Sequence, residues 1–333
     1  MGVSIVLCFY NGGKKLIPTL EHIKKLDIAG VPDVELILVD NNSNDDSDEI
    51  IRAQMCEFKG FAWKVVFQPD PGLSRARDMG IKEAKNDIIL FCDDDNWLAA
   101  DYLKKGYKII QSDAKIAVLG GKGTAISSNE MPQWFKGNEV FYATGAQRPQ
   151  SGQITENMIA VYGAGMFMRK SAFFDIINRG FAFYNLGRTG KKLSAGEDTE
   201  MCLAFHIAGY KIWYDAGLEF FHFIDEKRLD LKVFEKIKMG IYRSRYIARF
   251  YLDYIQGYVP KVSKYFWLKE FIFSLKDLFL SLFNVKRQFE IKRNFDFSKY
   301  LLKERSRYNE NVNKIVTICK SLDKKNEDNP GIL

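Results

Sequence analysis

Four short apolar runs lie in the first third of the chain. They are Val3 to Tyr10, Glu35 to Asp40, Trp63 to Gln68 and Asp87 to Cys92. Each is rich in β-branched residues and each ends in polar or turn-forming residues, the pattern of a buried strand. The stretches between them carry helical spacing. Leu16, Leu20, Ile23 and Leu26 fall on one face of a helix over Lys14 to Leu26. A second helix is predicted from about Asp48, with Ser47 as its N-cap. A third covers Arg75 to Ala84, after the Pro71-Gly72 turn. Strands alternating with helices at short spacing predict a doubly wound, mainly parallel α/β sheet flanked by helices. Three polar strand ends, at Tyr10-Asn11, Asp40-Asn41-Asn42 and Asp93 to Asp95, should then meet at one edge. In such sheets ligands bind outside the carboxyl ends of the strands.

The pattern continues with an apolar stretch at Ile116 to Leu119 and a glycine-softened strand at Val161 to Arg169. A helix opens at Gly196-Glu197-Asp198 and carries Met201, Leu203, Ala204, Ile207 and Ala208 on its apolar face. Gly209 to Asp215 reads as a last core strand, leading into Phe220-Phe221-His222-Phe223. The glycine-rich polar segment Phe183 to Ser194 is expected to be a mobile loop that orders over a ligand. Beyond Leu229 the chain becomes basic and aromatic. Tyr265 to Phe283 has helical character, with a narrow polar stripe at Lys269/Glu270 and Lys276/Asp277. Those charges argue against a membrane span. The basic flanks Lys261, Lys264, Lys286, Arg287, Lys292 and Arg293 suit an interfacial helix on anionic lipid. Packing against the preceding domain or a second subunit is the other reading. Residues after about Asp323 read as frayed.

Composition adds bounds. With 333 residues and 47% hydrophobic content, the chain holds one large domain, or one domain with an appendage. Cys8, Cys56, Cys92, Cys202 and Cys319 are scattered without metal-finger spacing, which fits a reducing cytoplasm and disfavours zinc. No leader pattern precedes the first strand. Charge is split. Residues 1–225 hold 25 Lys and Arg against 29 Asp and Glu, net −4; residues 226–333 hold 24 against 13, net +11. The two parts should therefore present different surfaces to different partners.

Candidate chemistry centres on Asp93, Asp94 and Asp95. Crowded carboxylates repel unless a cation offsets them. Oxygen ligands of this kind suit Mn2+ or Mg2+ beside substrate phosphates. An acidic turn capping the next helix through Asp95 or Asn96 is the structural alternative. Neither a GxGxxG nor a GxxxxGK[ST] pattern is present, so the edge is not a dinucleotide or P-loop site.

Taken in order, the first strand ending in Tyr10-Asn11, the LVDNNSND and PGLSRARDMGIKEA segments and FCDDDNW resemble family-2 glycosyltransferases of the GT-A fold, over about residues 3–228. That resemblance implies an inverting enzyme using a nucleotide sugar, commonly a UDP-sugar. It implies that Tyr10 packs on the base and that Asp40 accepts a hydrogen bond from it. Arg77, with Arg75, would lie near base and diphosphate. Asp93 would contact ribose or metal, Asp94 would be the middle position, and Asp95 would ligate the metal. Gly165 would lie under the donor sugar. Asp198 would be the general base, with Glu197 shaping the acceptor side. His222 is either a further metal ligand or a satisfied core residue. Trp134 offers either a sugar-facing wall or a loop anchor. Arg228 is similar to a basic residue near the phosphates.

The expected organisation is a catalytic domain at 1–228, divided near 120 into nucleotide and acceptor halves. A helical extension at 229–322 and a tail at 323–333 follow. Expected partners are a nucleotide-sugar donor and a saccharide or lipid-linked saccharide acceptor in bacterial polysaccharide assembly. An anionic membrane surface on the cytoplasmic side and a second subunit are also compatible; nucleic acid is not expected. Two rival classes remain: a nucleotidyltransferase making nucleotide sugars, and a non-enzymatic membrane or nucleic-acid binding protein.

Overall fold

The computed structural model describes residues 2–156, 159–184, 196–258 and 308–327, with isolated positions between 259 and 307. The Phe183–Ser194 segment beyond Tyr184, and most of Tyr265–Phe283, lie outside the described residues. So does the chain beyond Glu327.

The apolar runs form strands β1 (Val3–Phe9), β2 (Val34–Asp40), β3 (Ala62–Phe67) and β4 (Ile88–Asp93). They pair in parallel in the order β3-β2-β1-β4. Helices α1 (Leu16–Lys24), α2 (Ser47–Met55) and α3 (Leu73–Glu83) connect them. Ser47 does not cap α2: it is the first helical residue, its Oγ donates to Asp45, and it accepts from Gly13 N at 2.9 Å.

The second half adds β5 (Asn96–Leu98), α4 (Tyr102–Ser112), β6 (Ile116–Ile126), β7 (Gly152–Gln153), β8 (Phe167–Arg169), α5 (Lys170–Asn178), α6 (Glu197–Ile207) and β9 (Lys211–Phe223). Among the described residues they complete one nine-stranded mixed sheet, β3-β2-β1-β4-β8-β6-β9-β5, with β7 on β9. Two expectations change here. The strand expected over Val161–Arg169 is regular only at Phe167–Arg169, and Gly165 just before it adopts φ +65°, a left-handed turn conformation outside the strand region. The strand expected over Gly209–Asp215 runs on to Phe223 as β9 and pairs with both β6 and β5, with a register shift against β6 between Tyr214 and Glu219.

Both sheet faces are covered. One core packs Leu16, Leu20, Ile51, Leu103 and Ile110, from α1, α2 and α4, against the sheet. The other takes α3, α5 and α6 together with two helices beyond residue 228, α7 (Leu231–Ile255) and α8 (Tyr308–Glu327). Phe250 and Tyr251 of α7 and Ile315 and Leu322 of α8 are buried in that core. Burying apolar area of this kind stabilises by roughly 25 cal/mol per Å². Helices α7 and α8 are thus packed into the sheet's own core. Helix α8 also runs past Asp323, where fraying was expected. Among the described residues no helix is long and apolar enough to cross a membrane.

Candidate active site

Register builds the site. Cys8 pairs with Asp93 across β1 and β4, and Phe9 pairs with Asp40 across β1 and β2. Tyr10, Asp40-Asn41 and Asp93 therefore leave the sheet side by side, as the sequence predicts. The acidic run does not cap a helix. It turns directly into β5, where Asn96 pairs with His222 of β9. That pairing, with the 2.9 Å bond from Phe223 N to Asp95 O, brings His222 beside the acidic turn from more than a hundred residues away. Buried Asn96 shapes the turn, its side-chain oxygen accepting from Asp93 N and its amide donating to Asp95.

A cavity of about 1080 Å³ opens at this edge. Tyr10, Asn41, Arg77 and Asp93 to Asp95 from the first half of the chain line it together with Gly163, Glu197, Asp198, His222 and Arg228 from the second. Tyr10 is 53% exposed at the rim. Arg77 is buried and spans the halves: Nη1 lies 2.6 Å from Asp198 Oδ1, and Nη2 lies 3.3 Å from Asp93 Oδ1. Burial opposes its charge, but Asp198 and Asp93 outweigh that and raise its pKa. Asp198 sits in the first turn of α6, entered through left-handed Gly196. A Cβ on Gly163 would overlap the Asp198 carboxylate, which would have to shift to admit it.

Asp95 Oδ2 lies 3.3 Å from His222 Nε2. The other ring nitrogen, Nδ1, is 2.6 Å from the Tyr142 carbonyl, which only accepts, so Nδ1 carries the proton. In the neutral ring the Nε2 lone pair then faces Asp95, an arrangement suited to a shared cation. Arg228 supplies one here, with Nη1 3.0 Å from Asp95 Oδ2 and 3.4 Å from His222 Nε2. Burial, then the charges of Asp95 and Asp93, push the Asp94 carboxyl up to about 8, a second sign that the turn favours added positive charge. Among the described residues no three His, Cys, Asp or Glu side chains form a closed metal cage. A divalent ion held by Asp95 and His222 would take its remaining ligands from phosphate or water, as Mg2+ commonly does.

Four expected residues are placed elsewhere. Arg75 is on the surface, paired with Asp70 at 2.5 Å, because residues two apart on a helix point to different sides and Arg77 takes the inner one. Asp40 is half-buried and accepts from Ser43 N, ordering the loop after β2; its neighbour Asn41 lines the cavity. Trp134 stacks on Phe234 of α7 at 4.6 Å, as a loop anchor, while Phe141 and Tyr142 supply the aromatic lining. Gly165 packs against Tyr102, whose hydroxyl donates to its carbonyl; Gly163 is the glycine that meets the site. The sequence reading missed Tyr142 and the wall formed by α7, although Ile241, Ser244, Arg245 and Ala248 recur with helical spacing.

Comparison with known proteins follows the same lines. A family model described as "Glycosyl transferase family 2" matches residues 4–176. The Streptococcus pneumoniae glycosyltransferase GlyG is 32% identical over 144 residues, 43% of this chain and 44% of that protein. The chain thus spans less than half of that relative. S. aureus TarS, residues 1–349 solved with UDP-GlcNAc, superposes with a TM-score of 0.52 at 16% identity, covering 98% of this chain and 92% of that one. GalNAc-T7, solved with UDP, GalNAc and Mn2+, gives 0.52 at 18% identity, covering 67% and 44%. Both likenesses bear on the fold, which is of the GT-A type. The family match covers more than half of the residues, and this protein belongs to glycosyl transferase family 2.

Proposed function

We propose that this protein is an inverting glycosyltransferase that moves a sugar from a nucleotide sugar, most simply a UDP-sugar, to an acceptor hydroxyl. The observation that carries the reading is the facing of Asp198 and the Asp93–Asp95 turn across one cavity, joined by Arg77. UDP-bound neighbours of the same fold support the donor class. Tyr10 stacks on the base from the rim, and Asp93 and Asn41 meet the ribose side. Asp95 and His222 would hold Mn2+ or Mg2+, which offsets the negative charge that builds on the departing diphosphate. Asp198 takes the proton of the acceptor hydroxyl. Its contribution is placement within hydrogen-bond reach of the attacking oxygen. Arg77 holds that carboxylate in place, and Glu197 shapes the acceptor side. A single base and direct attack give inversion at the anomeric carbon.

The acceptor side runs from Phe141 and Tyr162 to the wall of α7. We assign it to a saccharide, free or lipid-linked, in bacterial surface polysaccharide assembly. The resemblance and the basic extension support this setting, with the enzyme peripheral on the cytoplasmic face of the membrane.

A screen of UDP- and GDP-sugars for Mn2+-dependent hydrolysis, run on the full chain, names the donor. Replacing Asp198 with Asn should then lower transfer at least about a thousand-fold while UDP affinity stays within about twofold, from the loss of a positioned base. Undiminished turnover in that variant would remove Asp198 from the role.

A further inference from the structure

We propose that Arg228 is an internal cation that competes with a divalent metal for Asp95 and His222. It would thereby set how tightly the site takes metal before nucleotide arrives. This rests on the reading of Asp95 and His222 as the metal pair.

The contacts are specific. The Arg228 guanidinium lies within 3.0 Å of Asp95 Oδ2 and 3.4 Å of His222 Nε2, the two atoms assigned to the metal. Its carbon sits 5.6 Å from the Tyr142 ring centroid, a cation–π distance. The backbone is held independently of the side chain. Tyr142 Oη donates to Arg228 O at 2.6 Å, and Arg228 N donates to Asp225 O at 2.8 Å. Asp225 is itself tied to Lys15 at 3.1 Å, so the short turn Glu226–Leu229 is anchored at both ends. The guanidinium can therefore leave Asp95 by side-chain rotation alone.

Charge explains why it must leave. Asp93 is matched by Arg77, and Asp95 by Arg228. A divalent ion bound to Asp95 and His222 would stand where Arg228 now donates, and like charges at hydrogen-bond distance repel. Metal entry thus requires Arg228 to give up Asp95. The affinity seen for metal is the intrinsic affinity reduced by the fraction of molecules in which Arg228 has moved away.

The test is Mn2+ titration of the full chain, followed by electron paramagnetic resonance of free Mn2+, without nucleotide. Arg228→Gln should tighten Mn2+ binding about tenfold. Arg228→Met, which keeps an apolar stem on Tyr142, should do the same and serves if the Gln variant is unstable. Unchanged or weaker binding in a folded variant overturns the competition. Asp95→Asn and His222→Ala keep the two levels of the argument separate. If neither weakens Mn2+ binding, the metal pair is misassigned. If they weaken it and the Arg228 variants do not tighten it, only the competition fails.

Discussion

At the scale of single residues, the smallest side chain in the site is also a demanding one. Gly163 has no Cβ, and adding one would meet the tip of Asp198 rather than backbone. A carboxylate tip can move aside cheaply, but doing so pulls it off Arg77 and out of line with an acceptor. Gly163→Ala should therefore leave the melting temperature within a few degrees while lowering transfer about a hundred-fold, the order of loss expected from roughly 1 Å of misplacement. Calorimetry and initial rates check the two halves of that statement. If both fall together, Gly163 serves the fold. Asp93–Asp95 stood out in the sequence as a polar cluster at the end of an apolar run, and Glu197-Asp198 through the family resemblance. The sequence did not expose Gly163 or Tyr142. Their importance comes from what lies across the cavity, and no spacing along the chain encodes that.

At the scale of elements, α6 holds the molecule's two parts together. Glu200, 1% exposed and one turn from the start of the helix, accepts from Tyr184 N at 2.8 Å and from Tyr251 Oη of α7 at 3.0 Å. Burial, then the charge of Glu200, pushes the Tyr251 hydroxyl well above its usual pKa, so it stays a donor at any working pH. Tyr251→Phe leaves this buried carboxylate short of a donor and should cost about 1–3 kcal/mol of stability. Urea denaturation should show a lower midpoint; an unchanged midpoint would mean the bond contributes nothing. The strands β1 to β4, helices α1 and α3 and the start of α2 were readable to within two residues, because their apolar patterning is regular. The continuation of β9 and the contraction of β8 were not. Both follow from cross-strand partners, Asn96 with His222 and Phe167 with Leu119 and Leu90, that lie far apart in sequence.

At the scale of the whole molecule, charge and packing draw different boundaries. Net charge changes sign near residue 225, yet α7 and α8 share a core with α6, and α7 walls the cavity. We regard α7 and α8 as part of one cooperative unit with the sheet. The exposed apolar residues Ile272, Leu275 and Phe279, spaced three and four apart, lie in the basic part of the chain. Apolar contact and positive charge together favour an anionic lipid surface. The protein should sediment with phosphatidylglycerol vesicles at 50 mM salt, lose most of that binding at 500 mM, and ignore phosphatidylcholine vesicles. Equal binding to both lipids would end the electrostatic account.

The pairing of Asn96 with His222 has a consequence for how this scaffold tolerates change. Along β9 the side chains alternate, with Phe220 and His222 buried and Phe221 exposed. From Glu219 to Phe223 the strand holds an unbroken register with Lys122–Ile126 of β6, and a single-residue insertion or deletion there would invert that alternation. It would swing the imidazole out to water and drive a phenyl ring into the acidic turn. Length change is thus costly between Glu219 and His222, whereas the register shift between Tyr214 and Glu219 can absorb it. An engineer wishing to reshape the cavity should keep the count of residues from Glu219 to Phe223 fixed and vary the wall of α7 at Ile241, Ser244, Arg245 and Ala248 instead.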